Sequence, residues 1–240
     1  MLRIKNLNIG YRHALLHEPF SLEVKKPSLI ALVGDNGAGK TTFLRTLAGL
    51  QPPLQGKVFV NNQDVHQATP LERSRLVSIS LAHLPQRLGM TVEQILELTV
   101  KLTHARVKNP EFNFICDFLQ IRTLFHRPFA NLSDGQKQKV MIARAFIQNT
   151  PVILLDEPYS HLDSQNRRLL TRLLDTLKKD KLIVFATHDQ LSILNVDMIW
   201  HIDKHRIIPQ TINNFLTNSH QIRQFYNFYH TRVVKTGKQD

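Results

Sequence analysis

The chain has 240 residues, with 31 Lys and Arg against 19 Asp and Glu, for a net charge of +12 with His neutral. That length suits one large α/β domain or two small ones, and 42% hydrophobic with 21% charged residues excludes an intrinsically disordered chain. A single cysteine, Cys116, excludes an internal disulfide framework and a cysteine-cluster zinc site. The longest purely apolar runs, Leu29–Val33 and Leu182–Ala186, fall far short of the roughly 20 residues a membrane-spanning helix requires. The opening Met1-Leu2-Arg3-Ile4-Lys5-Asn6 has no apolar stretch long enough for a secretory signal, so a soluble cytoplasmic protein is expected. The excess positive charge favours anionic partners, whether nucleic acid, nucleotide phosphates or an anionic membrane face, unless it is simply a solvated surface.

In chain order, Leu2–Ile9 alternates apolar and polar residues as a strand does. Ser28–Val33 reads as a buried strand running into a glycine-rich turn, and Thr41–Leu50 as a helix stopped by Pro52-Pro53. Lys57–Asn61 is a further strand. The pattern from Thr91 to Asn149 is helical, in three stretches marked by Val92, Ile95 and Leu96, by Phe112, Ile115 and Leu119, and by Val140, Ile142 and Phe146. Two apolar runs follow, Val152–Leu155 and Leu182–Ala186, separated by a helical pattern over Arg167–Lys178. Buried parallel strands alternating with helices predict an α/β sheet covered on both faces, with the helical stretch inserted as a subdomain. Residues 204–240 differ, with six Lys and Arg, one Asp and interspersed Phe215, Phe225, Tyr226, Phe228 and Tyr229. Such a tail marks nucleic-acid or membrane contact, or a short helix docking its aromatics on its own domain.

Three motifs carry chemistry. Gly34-Asp35-Asn36-Gly37-Ala38-Gly39-Lys40-Thr41-Thr42 matches G-x-x-x-x-G-K-[ST] between a predicted strand and a predicted helix. Three of the chain's nine glycines fall in its first six positions, which argues for a backbone that something must approach closely. Its amides and the helix N-terminus would cradle phosphates, Lys40 would reach the β- and γ-phosphates, and the Thr41 hydroxyl would ligate Mg²⁺. In Val152-Ile153-Leu154-Leu155-Asp156-Glu157-Pro158, an apolar strand ends in two carboxylates that strand alternation would point apart. Asp156 would then hold Mg²⁺ through water, and Glu157 would orient and deprotonate an attacking water. The third is Leu132-Ser133-Asp134-Gly135-Gln136, followed by Val140–Ala145.

With that third motif the chain, over residues 1 to about 210, resembles the ATP-binding-cassette (ABC) ATPases, whose signature is Leu-Ser-Gly-Gly-Gln ahead of the acidic strand. Gln86, in Leu84-Pro85-Gln86-Arg87, is similar to the Q-loop glutamine that links Mg²⁺ to the helical subdomain. Ser160-His161-Leu162-Asp163 is similar to the D-loop, His188 to the switch histidine that contacts the γ-phosphate, and Tyr11 to the aromatic that stacks on adenine. The resemblance implies a P-loop NTPase fold, an ABC-type core (1–86 and 150–210) with a small N-terminal antiparallel β portion. It also implies a helical signature subdomain over 87–149, leaving a tail over 211–240. ATP and Mg²⁺ follow as cofactors. Two ATP molecules would lie sandwiched in a head-to-tail homodimer, each held by the phosphate loop (Gly34, Asn36, Gly37, Ala38, Gly39, Lys40, Thr41 and Thr42) of one subunit and Ser133, Gly135, Gln136 and Asp163 of the other.

The implied function is the ATPase subunit of a transporter, peripheral on the inner membrane face and bound to a separate permease. The pattern looks most like importers of metal chelates such as ferric siderophores, haem or cobalamin, which work with an extracytoplasmic binding protein. The alternative is a soluble ABC ATPase acting on nucleic acid, the ribosome or iron–sulfur assembly; one phosphate loop without sustained heptads argues against the first two, nothing selects the third, and no direct nucleic-acid contact is expected. Asp134 departs from the signature by replacing its first glycine, and Tyr159 follows Pro158 where a smaller residue is usual. Cys116 reads as a small buried hydrophobe, and Arg167-Arg168 and Lys178-Lys179 as solvated helix faces.

Overall fold

A computed structural model describes residues 1–83, 89–103, 110–188 and 190–218. Two sheets carry the fold. The first is antiparallel, with β1 (Leu2–Asn8) between β2 (Phe20–Val24) and β4 (Gln55–Val60), and the short β5 (Gln63–Asp64) beyond β4. The second contains β3 (Ser28–Gly34), β6 (Val77–Ser80), β7 (Val152–Asp156), β8 (Leu182–Thr187), β9 (Met198–Asp203) and β10 (Arg206–Gln210), in the order β10-β9-β3-β8-β7-β6. All its pairings are parallel except the β9–β10 hairpin, whose turn Lys204-His205 has positive φ at both residues. The expected α/β fold with a small antiparallel portion is therefore present.

Helices cover the second sheet. They are α1 (Lys40–Leu47), α2 (Pro70–Leu76), α3 (Val92–Thr103), α4 (Pro110–Phe118), α5 (Asp134–Ile147), α6 (Ser164–Leu177) and α7 (Ile212–Asn218). The expected first helix is shorter than its pattern suggests. Its backbone turns at Gly49, φ +69°, where an added Cβ would meet Val65 and Arg73, so the glycine ends it ahead of Pro52-Pro53. Helix α2 starts at a capping box, Thr69 with Glu72, and has Pro70 in its first turn.

The continuous apolar strands are buried because both faces of the sheet are packed. On one face Phe43 of α1 meets Trp200 of β9 and Phe20 of β2, their rings edge-on with centroids 5.9–6.1 Å apart, which ties the antiparallel sheet to the parallel one. On the other face Ala31, Ile153, Leu155, Ile183 and Phe185 pack in one core with Leu96, Ile115, Ile142, Phe146, Leu170 and Leu174 of α3 to α6. Cys116 sits fully buried in this core, and burial pushes its thiol up to about 12, so it is inert as the sequence suggests. No helix among the described residues is long and apolar enough to cross a membrane.

Most of the basic tail, residues 219–240, lies outside the described residues. Its first turns dock, however: Phe215 and Leu216 of α7 are buried, with the Phe215 ring edge-on to His201. A chain ended after Asn214 loses both side chains, and each contributes about 1.5–3 kcal/mol of burial. A chain ended after Asn218 keeps them. Urea denaturation is expected to show the Asn214 truncation several kcal/mol less stable than the Asn218 truncation.

Candidate active site

The carboxyl ends of β3, β7 and β8 lie side by side at one edge of the parallel sheet, where open α/β folds hold ligands. Beyond β3 the chain makes the phosphate loop. Gly37 and Gly39 have φ +82° and +96°, conformations that L side chains rarely adopt. A Cβ on Gly37 would meet nothing within 4 Å, so this stretch of backbone presents an open cradle. No side chain caps the N-terminus of α1, which leaves its first amides to an external anion. Lys40 folds over the same loop, its Nζ donating to the carbonyls of Gly34 at 2.7 Å and Asp35 at 3.0 Å.

Thr41 Oγ1 donates to Asp156 Oδ2 at 2.8 Å, and Asp156 is almost wholly buried. A hydroxyl and a carboxylate oxygen, both hard donors, thus converge beside the phosphate loop, a set that fits Mg²⁺. The third expected contributor, Gln86, lies outside the described residues.

Glu157 departs from the geometry that strand alternation predicts. The strand β7 stops at Asp156, and Glu157 turns into the left-handed region with φ +48°. That turn separates the two carboxylates. Its N–H donates to the Ala186 carbonyl of β8 at 3.0 Å. Its carbonyl accepts from Ser160 N at 3.1 Å, Ser160 Oγ at 2.7 Å and Gln138 Nε2 at 3.4 Å. A left-handed residue held from three directions is backbone strain at a chemically charged position, as active sites often show. The side chain then reaches His188, whose Nδ1 stands 2.9 Å from Glu157 Oε2. Two residues predicted from separate strands are therefore one pair, and His188 is largely exposed beside a mostly buried carboxylate.

The signature segment forms a helix start. Ser133 caps α5 in a capping box with Gln136: Gln136 N donates to Ser133 Oγ at 3.3 Å, and Ser133 N donates to Gln136 Oε1 at 3.1 Å. The box uses Ser133 Oγ as acceptor and leaves its O–H to donate outward. Asp134 stands in the first turn, where the helix dipole favours an anion, which accounts physically for the departure from glycine. The small size of Gly135 serves this chain's own packing, because an added Cβ would lie 2.6 Å from the His161 carbonyl. Asp163 caps α6 through Asn166 N, and that backbone hydrogen bond holds its carboxyl below the usual carboxylate range. Among the described residues, no hydrogen bond or ion pair joins Ser133, Gly135, Gln136 or Asp163 to residues 34–42.

Tyr11 is 68% exposed on the tight loop between Ile9 and Leu15, and both of those residues approach the Cβ position of Gly39. It borders a groove of about 540 Å³ shared with Arg45, Leu50, Leu54 and Leu81. Tyr159 is explained by its neighbours: the ring meets Phe185 edge-on at 5.8 Å and the hydroxyl lies 3.3 Å from Thr171 Oγ1. Sequence reasoning missed Gln138 altogether and, though it placed Ser160 in the D-loop, missed its bonds to Glu157, because backbone carbonyl acceptors leave no trace in residue spacing.

The ABC transporter family model matches residues 17–160. An uncharacterized ABC transporter ATP-binding protein of Methanocaldococcus jannaschii is 31% identical over 228 residues, covering 87% of this chain and 75% of that protein. The sulfate/thiosulfate import ATP-binding protein of Mesorhizobium japonicum is 37% identical over 198 residues, with 79% of this chain and 56% of that protein covered. A spermidine/putrescine import ATP-binding protein of Legionella pneumophila is 34% identical over 200 residues, covering 82% and 54%. The chain thus spans a little over half the length of these two import proteins. In fold it is similar to an ATP-binding cassette dimer bound to ADP and phosphate, with a TM-score of 0.78 at 23% identity over 88% of this chain and 99% of that one. The matched segment contains the phosphate loop, the signature helix and the acidic turn in the order the site requires, and the chain belongs to the ABC transporter family as one of its ATPase cassettes.

Proposed function

We propose that the chain powers transport by hydrolysing ATP at the sheet edge, with Lys40, Thr41, Asp156, Glu157 and His188 as its working residues. The observation that carries this is the pair of contacts there, Thr41–Asp156 beside the phosphate loop and Glu157–His188 next to it. The loop amides and Lys40 bind the β- and γ-phosphates of ATP. Thr41 and Asp156, with Gln86, would hold Mg²⁺, which when bound supplies charge neutralisation at the phosphates. Glu157 accepts the proton of the water that bonds to the γ-phosphorus, while the bridging β–γ P–O bond breaks and ADP leaves. His188 steadies the Glu157 carboxylate through Nδ1, beside the place of the γ-phosphate. Tyr11 stacks on adenine from the loop that flanks Gly39.

The signature residues complete the site from a second copy. Ser133, Gly135, Gln136 and Asp163 would reach the phosphate loop of a partner copy in a head-to-tail homodimer with two shared sites, the arrangement the family resemblance implies. The region 87–149 acts as the helical subdomain, docking a separate membrane permease near Gln86 and working peripherally at the inner membrane face. The groove bordered by Tyr11, Leu50 and Leu54 runs to Leu81, just ahead of that segment, and its exposed apolar side chains suit the same contact. Import, with a binding protein reached through the permease, is supported by the named functions of the sulfate and polyamine relatives.

Metal chelates, iron among them, do not stand out as cargo. The matched import proteins are named for sulfate and polyamines. A chain from an inward-facing transporter assigned to the metal-chelate type shares the fold, with a TM-score of 0.72 at 26% identity over 89% of this chain and 84% of that one. Cargo is chosen by the permease. The test is reconstitution with the permease that co-purifies from detergent-solubilised membranes. Transport that needs ATP and stops with Glu157→Gln supports the proposal. Co-purification of ribosomal proteins or nucleic acid through a high-salt wash, with no permease, would overturn it.

A further inference from the structure

Arg167-Arg168 and Arg172 do more than solvate a helix. Together with Tyr159, Thr171 and Ser192 they line a groove of about 390 Å³ between α6 and the segment that follows His188. Three guanidinium groups border this groove against one carboxylate, Asp175, which is engaged by Lys178 at 3.1 Å. Arg168 and Arg172 stand one turn apart on one strip of α6. Among the described residues neither guanidinium has a carboxylate within salt-bridge distance. Arg167 is part of the wall, with its Nε donating to the Leu162 carbonyl at 3.3 Å.

The groove is built rather than incidental. Tyr159, only 5% exposed, forms part of its lining and is braced against Phe185. Thr171 Oγ1 donates to the Arg167 carbonyl at 3.0 Å, so in its 3.3 Å contact with Tyr159 the tyrosine hydroxyl is the donor. Ser192 Oγ likewise points inward, to Thr187 Oγ1 at 3.1 Å. With the Tyr159, Thr171 and Ser192 hydroxyls engaged inside the fold, the groups left to face a ligand are the guanidinium forks, joined by Ser164. Planar forks set a turn apart match a tetrahedral oxyanion, which offers more acceptor oxygens than one carboxylate can.

We propose that this groove is a binding site for a phosphate group, free or carried by a small phosphorylated molecule, and that its occupancy tunes hydrolysis. Both walls lead to the catalytic pair. Tyr159 lies two residues beyond Glu157, and Ser192 bonds to Thr187, the residue before His188. An anion drawn between α6 and Ser192 pulls on both ends of the Glu157–His188 contact. The regulatory half rests on the ATPase reading above, whereas the binding half stands without it.

The test uses inorganic phosphate and the full chain. Lys40→Ala is introduced first to silence the phosphate loop, and binding is followed by titration calorimetry. The expected result is saturable binding of one phosphate per chain. Adding Arg168→Gln with Arg172→Gln, both on exposed positions, weakens it about tenfold or more. Adding Arg168→Lys with Arg172→Lys weakens it several-fold, because charge is kept while the fork is lost. No saturable binding, or equal affinity in the glutamine variant, overturns the site. Equal affinity in the lysine variant overturns it in favour of general positive charge. With Lys40 intact, phosphate should change the ATP hydrolysis rate differently in the original chain and in the glutamine variant. Binding without that difference overturns the regulatory half alone. A phosphorylated small molecule that binds more tightly than inorganic phosphate, with the same dependence on Arg168 and Arg172, identifies the source as a phosphate ester.

Discussion

Replacing Glu157 with Gln is expected to stop ATP turnover while leaving ATP bound. The substitution keeps the size and hydrogen-bonding reach of the side chain but removes the carboxylate proposed to accept the proton, a contribution of about 10²–10⁴-fold in rate. The main-chain features that fix this position do not involve the side chain: the φ of +48°, the donation to Ala186, and the three donors on its carbonyl all persist. Folding should therefore be preserved. Phosphate release measured beside equilibrium binding of labelled ATP separates the two effects. Rates near those of the original chain would remove Glu157 from the reaction. Loss of binding together with loss of rate would show a damaged phosphate loop instead.

Gly135→Ala is expected to be nearly as damaging for a different reason. Alanine favours a helix over glycine by up to about 1 kcal/mol, so an open helix position would gain stability. Here the new Cβ would lie 2.6 Å from the His161 carbonyl, a backbone atom that cannot rotate away. Overpacking of that kind costs about 1–3 kcal/mol, and the clash outweighs the propensity gain. The strain falls between the signature helix and the loop that leads from Glu157 to Asp163. A shift of about 1 Å at such a junction can cost about 10²-fold in rate. Thermal unfolding should fall by several degrees, and hydrolysis should fall further than the stability loss explains. An alanine variant of undiminished stability would refute the contact. Gly37→Ala is a useful contrast, since among the described residues its Cβ meets nothing within 4 Å: the cost there is the strain of alanine at φ +82° rather than a clash, and ATP binding should fall with it.

Those two residues also show how far the sequence could be read. The phosphate loop was legible because glycines concentrate there and because strand and helix signals flank it. The acidic turn and His188 were legible as positions, but their pairing was not, since 30 residues separate partners that only the β7–β8 register brings together. Strand alternation suggested why Asp156 and Glu157 diverge, yet the divergence comes from a left-handed residue after the strand, which no side-chain pattern announces. The resemblance offered Gly135 as an ATP contact, and nothing in the spacing announced that a carbonyl of the chain itself crowds it. Tyr159 had no account until Phe185 and Thr171 appeared beside it. Where a residue's reason is a tertiary neighbour or a backbone carbonyl, linear spacing carries no record of it.

On the proposed reading, each ATP site needs two copies of the chain. Sedimentation velocity of the Glu157→Gln protein, with and without ATP and Mg²⁺, tests it most directly, because the variant should hold ATP without consuming it. The expected result is a monomer alone and a dimer with nucleotide, the dimer being lost when Ser133→Arg is added to block the signature face. A protein that binds ATP and still sediments as a monomer at every concentration would contradict it.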